Sequence, residues 1–141
     1  MTRSTTVATR TCSFTMGDTC LVARFHPGAE VSGDDARANL DVTSELAGGR
    51  RLAVLVDLRQ LKSQSAEARD ELAGPRAVRV SRAVALLIGS PLSRVVGNFY
   101  LRFNRPETPT RLFSSEEEAR AWLEAVCHVG EPAEEGARDP R

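Results

Sequence analysis

The chain is poor in the residues that staple small folds or hold metals. Its three cysteines, Cys12, Cys20 and Cys127, are scattered over 141 residues with no CxxC pair. An odd count at such spacing argues against a disulfide framework and against a zinc site. The two histidines, His26 and His128, add no ligand pair: His26 stands in the turn-like stretch FHPG, and His128 closes the last helix, where a cation favours the dipole. No metal and no cofactor is expected. Lysine is almost missing, since Lys62 is the single one among 19 basic residues. The 19 acidic residues cancel the basic ones, so no net charge draws the chain to nucleic acid or to an anionic membrane. Aromatic residues make up only 5%, with no exposed cluster of the kind nucleic-acid binders carry. No apolar run approaches the roughly 20 residues of a membrane helix. The opening MTRSTTVATR lacks the apolar core of a secretory signal, and a cytoplasmic protein is expected. Heavy use of arginine and alanine suggests a GC-rich bacterial genome. There is no GxSxG, no P-loop and no GxGxxG.

What is present is an ordinary globular composition, 41% hydrophobic and 27% charged, in a length that suits one domain. Residues 1–10 read as a flexible lead, 11–128 as the domain and 129–141 as a disordered tail, because the tail has no apolar residue larger than alanine. TCSFTMGDTCLVARF predicts two strands around a tight turn at Met16-Gly17-Asp18, with Leu21, Ala23 and Phe25 on one face. The following helix takes Ser32 as its cap, buries Ala36, Leu40, Thr43 and Ala47, and stops at Gly48-Gly49. LAVLVDL (52–58) and AVALLIG (83–89) are apolar on both faces, as strands covered by helices on both sides are. Between them lies a crossover of two helical pieces broken at Gly74-Pro75. Ser90-Pro91 then starts a helix in which Leu92, Val95, Val96 and Phe99 keep the i, i+3, i+4, i+7 spacing of a core face. TRLF is a last short strand. In SSEEEARAWLEAV, Ser114 and Glu117 form a capping box and Ala119, Trp122, Leu123 and Val126 a buried stripe. The order β-β-α-β-α-β-α-β-α predicts an α/β fold: one mixed sheet of about five strands packed with about four helices.

Several residues are candidates for chemistry or contact. Ser63 and Ser65 sit where the first buried strand gives way to a helix. Ser65 reads as a helix N-cap worth about 1 kcal/mol, or as an acceptor of a phosphate that free amides and the dipole would welcome. Arg59 and Lys62 on the same loop could supply counter-charge. Asp57, at the strand end, is either a carboxylate with chemistry or a cap for local amides. No serine, histidine or second carboxylate nearby completes a hydrolytic or acid-base set, so no enzyme is expected. Ser90 and Arg94 offer an anion site at the carboxyl end of a buried strand, or simply a Ser-Pro helix start with a surface arginine. Arg76, Arg79 and Arg82 recur every third residue and would line one solvated face, either for solubility or for docking an acidic partner. Tyr100 and Phe103 cannot share the face of Phe99, which leaves them for a groove or a subunit contact, including a homodimer.

The element order, with VLVDLRQLKSQSAEAR after the first helix, resembles the STAS fold, the SpoIIAA-like domain of anti-sigma factor antagonists. AVALLIGSPLSRVVGNFYLRFNRPETPTRLFSSEEEARAWLEAV is similar to an uncharacterised bacterial branch of SpoIIAA-like proteins. The resemblance covers about residues 11–127. In the antagonists, a serine at a helix start after the central strand is phosphorylated by a partner kinase, and the phosphate controls binding of the anti-sigma partner. By position the resemblance assigns that role to Ser65, with Ser63 second. The Asp-Ser-Ser/Thr-Gly pattern of the antagonists is replaced here by Gln64-Ser65-Ala66-Glu67. The resemblance thus implies a non-enzymatic regulatory module with a protein partner, in bacterial signalling or partner switching of the anti-sigma type. SpoIIAA-like folds also resemble the lipid-carrier SEC14 group, and an apolar cavity beneath the 91–103 helix would favour a small-molecule or lipid-binding module instead.

Overall fold

A computed structural model describes residues 5–102 and 108–130. The chain runs through β1 (Thr5–Ala8), β2 (Cys12–Met16), β3 (Leu21–Phe25), β4 (Glu30–Val31) and α1 (Gly33–Ala47). It continues through β5 (Leu52–Asp57), β6 (Ser63–Gln64), α2 (Ala66–Leu72), α3 (Pro75–Val80) and β7 (Ser81–Leu87). α4 (Pro91–Leu101), β8 (Thr110–Phe113) and α5 (Glu116–Gly130) complete it. The main sheet has six strands in the order β1-β2-β3-β5-β7-β8. β1, β2 and β3 are antiparallel, and β5, β7 and β8 add to β3 in parallel. β4 and β6 form a separate parallel pair of two residues each.

Strand order explains where the helices lie. From β3 to β8 each parallel strand is added on the same side of the last, and the order never reverses. Right-handed crossovers in one direction all pass over one face. α1, α2, α3 and α4 therefore share that face, and α5, which follows the last strand, covers the other. Alternation along the strands feeds both layers. Leu52, Val54, Leu86 and Ile88 join the core under α1–α4, while Ala53, Leu55, Ala85 and Leu87 join the core under α5, where Ala119 and Leu123 are fully buried. Leu55 and Leu87 have no exposed surface, and each such side chain contributes about 1.5–3 kcal/mol.

The predicted hairpin forms, with the Gly17 amide donating to the Cys20 carbonyl at 3.1 Å. The predicted α1 stripe of Ala36, Leu40, Thr43 and Ala47 is buried. Ser32 and Asp35 close a capping box at its start, and Gly48, at φ 60°, ends it with a left-handed turn. That φ is costly for any residue with a Cβ.

Four expectations change. Residues 5–8 are not a free lead: they form the edge strand β1 against β2, which gives the sheet six strands where about five were expected. The strand is Thr-rich and largely exposed, so no apolar alternation announces it. Thr9 and Thr11 behind it are tied to the buried Asn39 of α1, at 2.6 and 3.1 Å. The cap of α5 is Ser115, whose hydroxyl accepts from the Glu118 amide (3.2 Å), one residue later than the expected Ser114 box. Arg76, Arg79 and Arg82 do not share a face, because α3 ends at Val80 and Arg82 lies in β7. Finally, α4 is turned: it buries Ser93, Val96 and Gly97, and leaves Leu92 and Val95 36% and 66% exposed. The expected tail, 129–141, lies outside the described residues from 131 on, and Val129 and Gly130 close α5.

Candidate functional site

The turn of α4 has a local cause. A side-chain carbon on Gly97 would stand 2.7 Å from a δ-methyl of Leu112 in β8 and 3.2 Å from Ile88. Only the small stripe of Ser93 and Gly97 lets the helix approach the sheet this closely. Leu92 and Val95 are thereby turned outward, with Phe99 half-buried beside them. They line a groove with Ser63 and Gln64 of β6, Arg69 of α2 and Arg102. The guanidinium groups of Arg69 and Arg102 lie 5.5 and 5.9 Å from the centroid of the Phe99 ring, within cation–π range. Tyr100 stacks edge-on against Phe99 at 5.3 Å. The groove thus has an apolar floor and a cationic rim, with no carboxylate lining it among the described residues.

The two loop serines differ. Ser65 caps α2, its hydroxyl accepting from the Ala68 amide at 3.0 Å, and remains exposed. Ser63 is exposed and lies on the groove. Glu67 is drawn towards α1, where Arg37 binds Glu67 at 2.9 Å, Glu71 at 3.1 Å and Asp34 at 2.6 Å. Lys62 reaches Glu30 at 3.4 Å.

Arg59 and Asp57 belong to a different cluster, at the carboxyl ends of β3 and β5. Arg24 and Asp57 are register partners on these strands. Arg24 donates to Asp57 (2.8 Å) and, with both terminal nitrogens, to Glu116 at the start of α5 (3.0 and 2.7 Å). Arg59 donates to Asp57 through its side chain (3.0 and 2.9 Å) and its amide (3.0 Å), and Arg120 donates to Glu116 (3.0 and 2.9 Å). Burial alone would raise the Asp57 carboxyl, but the hydrogen bonds from Arg59 and Arg24 outweigh it and hold the carboxyl below its usual value. Glu116 is held at about 2, first by the hydrogen bond from Arg24 and then by Arg120. Two carboxylates held ionised by three guanidinium groups are occupied in ion pairs and carry no proton to give at neutral pH. The cluster fastens α5 to the sheet.

The expected anion site at Ser90 and Arg94 does not assemble. The hydroxyl of Ser93, fully buried, accepts from the amides of Gly89 (2.9 Å) and Ser90 (2.8 Å), so the donors an anion would need are satisfied from within. Ser90 in turn caps the Ser93 amide at 3.0 Å. Arg94 is exposed on α4, and the stem of Arg59 packs beside Gly89. Without a reversal in strand order the sheet also forms no crevice at this edge. Of the arginine set, Arg76 pairs with Asp41 of α1, Arg79 is exposed, and Arg82 donates to the Cys127 carbonyl at 3.4 Å. Phe103 lies outside the described residues.

Tyr100 does not face the surface as expected for a contact residue. It is half-buried, and its hydroxyl donates to Oε1 of Gln64 at 3.1 Å. Burial pushes its phenol well above the usual value. Tyr100 and Gln64 stand on the wall of an apolar cavity of about 140 Å³ between the sheet and α1–α4. Phe14, Phe25, Leu40, Val54, Leu72 and Val84 give it its apolar lining. Sequence reasoning missed Gln64, Arg24, Arg69 and Glu116 as members of sites. Only Arg24 had a signal, as a charged residue inside an apolar strand, and its meaning depends on the parallel register with β5.

Among the described residues no group of three or more His, Cys, Asp or Glu could hold a metal ion. No described helix is long and apolar enough to cross a membrane. No curated protein matches the chain. Several solved structures share its architecture. An uncharacterised protein of the DUF3478 family from Shewanella loihica PV-4, with a SpoIIAA-like fold, superposes with a TM-score of 0.57 at 16% identity, covering 86% of this chain and 93% of that one. The anti-sigma factor antagonist SpoIIAA in its unphosphorylated form superposes with a TM-score of 0.51 at 18% identity, covering 87% of this chain and 97% of that one. The chain has the SpoIIAA-like fold, that of a STAS-type domain. A family model described as "Domain of unknown function (DUF7793)" matches residues 14–126, and the chain belongs to that family.

Proposed function

We propose that the chain is a non-catalytic, cytoplasmic regulatory module that docks a protein partner on the groove between α4 and the Ser63–Ser65 loop. The observation that carries this reading is the outward turn of α4, which leaves Leu92 and Val95 exposed beside Phe99. A monomeric domain rarely leaves two large apolar residues one turn apart on a solvated helix stripe without a partner for them. The rim of Arg69 and Arg102 defines that partner: an apolar anchor flanked by carboxylates. Zero net charge speaks against nucleic acid as the occupant. The similar fold of an anti-sigma factor antagonist fits a partner of the protein kind. Phosphorylation of Ser63, or of Ser65, would set a dianion beside the cationic rim and compete with the partner's carboxylates. Arg37 already holds the nearby Glu67, which lowers its repulsion of such a phosphate.

The test is native mass spectrometry of the protein purified from its own host, together with a Val95→Asp variant of unchanged circular dichroism. A protein of fixed stoichiometry bound to the wild type and lost from Val95→Asp supports the reading, and phosphate mapped to Ser63 or Ser65 supports the switch. A complex that survives Val95→Asp, or a dimer of this chain in place of a second protein, overturns it.

A second reading, a small-molecule module, is favoured by the cavity between the sheet and α1–α4. Its volume is far below that of a phospholipid, which leaves a small ligand rather than a lipid.

A further inference from the structure

The cavity has a chemical signature. No charged side chain lines it among the described residues. An ion inside would lose its hydration without a counter-charge, so an occupant must be neutral. The volume of about 140 Å³ is close to that of a cavity known to admit benzene, so an occupant has about six to eight non-hydrogen atoms.

The polar groups of the wall are nearly all spent on each other. Asn39 donates to Thr11 and accepts from Thr9, Thr43 donates to the Asn39 carbonyl at 2.9 Å, and Thr108 accepts from Arg51 at 2.7 Å. Tyr100 spends its proton on Oε1 of Gln64. The exception is Nε2 of that same Gln64: among the described residues it is a buried donor without a hydrogen-bond partner. Gln64 is 9% exposed. A buried amide hydrogen left unpaired costs about 1–3 kcal/mol, which a ligand oxygen would recover. Turning the amide over would orphan its oxygen and also leave the Tyr100 proton without its acceptor, so the setting with Nε2 as the unmet donor is the favoured one.

One wall of the cavity is mechanically soft. Leu72, Ala73, Ala77, Val78 and Val80 of the wall come from α2 and α3 and the joint between them, and all are only half-buried. These helices have seven and six residues, too short to be rigid without their packing.

We propose that this cavity binds a neutral, largely apolar molecule of six to eight non-hydrogen atoms that carries one hydrogen-bond acceptor, a ketone or ether oxygen, received by Nε2 of Gln64. The proposal rests on the small-molecule reading and specifies it; Gln64 also borders the docking groove, so shifts at Leu92, Val95 and Phe99 separate the two sites.

The test uses two isosteres, cyclohexanone and methylcyclohexane, titrated into the full chain with chemical shifts and thermal unfolding as readouts. Cyclohexanone is expected to bind about fivefold to tenfold more tightly, the value of one recovered hydrogen bond, and to shift the side-chain amide of Gln64. Gln64→Leu combined with Tyr100→Phe, which removes the unpaired amide without leaving the Tyr100 hydroxyl unpaired, should keep the fold and should erase the preference. Ala77→Leu, which fills the cavity, should abolish binding of both. Equal binding of the two isosteres overturns the assignment to Gln64 while leaving a ligand cavity in place. Binding of neither, or shifts confined to Leu92, Val95 and Phe99, overturns the cavity as a site altogether.

Discussion

Arg24 is a single residue on which two structural layers depend. It reaches Asp57 in the neighbouring strand and Glu116 in the helix above, so it locks α5 to the sheet end. Glu116 sits at about 2 in the folded protein against an ordinary 4.5. Its stabilisation is complete above the ordinary value and is lost as the pH falls towards 2. Thermal unfolding followed from pH 6 to pH 3 should therefore drop more steeply in the wild type than in Glu116→Gln. At pH 7 the variant should be less stable by about 1–3 kcal/mol, the range for a charge-assisted hydrogen bond. Identical acid profiles would mean that the cluster is decorative. Asp35, also held at about 2 by Arg10, keeps its own share of the acid dependence in both proteins. At this scale the sequence was legible where one neighbour decides. Ser32, Ser65 and Ser90 were read as caps and are caps. It was illegible where the partner is remote: nothing local to Glu116 points to Arg24, 92 positions away.

Helix α4 starts at Ser90 and Pro91 as expected, but the face it buries is another one, and the reason is general. Its most hydrophobic stripe, Leu92-Val95-Val96-Phe99, has ideal core spacing. The helix instead buries Ser93, Val96 and Gly97, because closeness to Leu112 and Ile88 decides the contact and hydrophobicity does not. Gly97→Val should cost about 1–3 kcal/mol in urea unfolding, since the added branch meets both neighbours. Gly97→Ala should be nearly neutral: the Leu112 methyl can rotate away, and alanine regains about 1 kcal/mol of helix propensity. If valine is tolerated as well as alanine, α4 does not pack as described. The pairing of β4 with β6 was equally hidden, because two residues carry no period.

At the scale of the molecule, the sheet was legible and its edge was not. Runs apolar on both faces placed β5 and β7 at the centre, covered on both sides, and they are. β1 escaped because an exposed edge strand needs only backbone partners and β-compatible residues, which its threonines supply. This difference in cover should appear in hydrogen exchange followed by mass spectrometry. Amides of β5 and β7 should exchange only with global unfolding, and those of β1 at least about a hundredfold faster. Uniform protection across the sheet would contradict the layering. One consequence of the parallel order remains. The turns that follow β3, β5, β7 and β8 all emerge at the same end, and they carry the serine loop, the start of α4 and the Arg24 cluster. Strand register is set elsewhere, by the alternating interior. A lineage built on this plan can therefore rewrite these turns without disturbing the scaffold, and chains that agree in architecture are free to differ in the chemistry their turns carry.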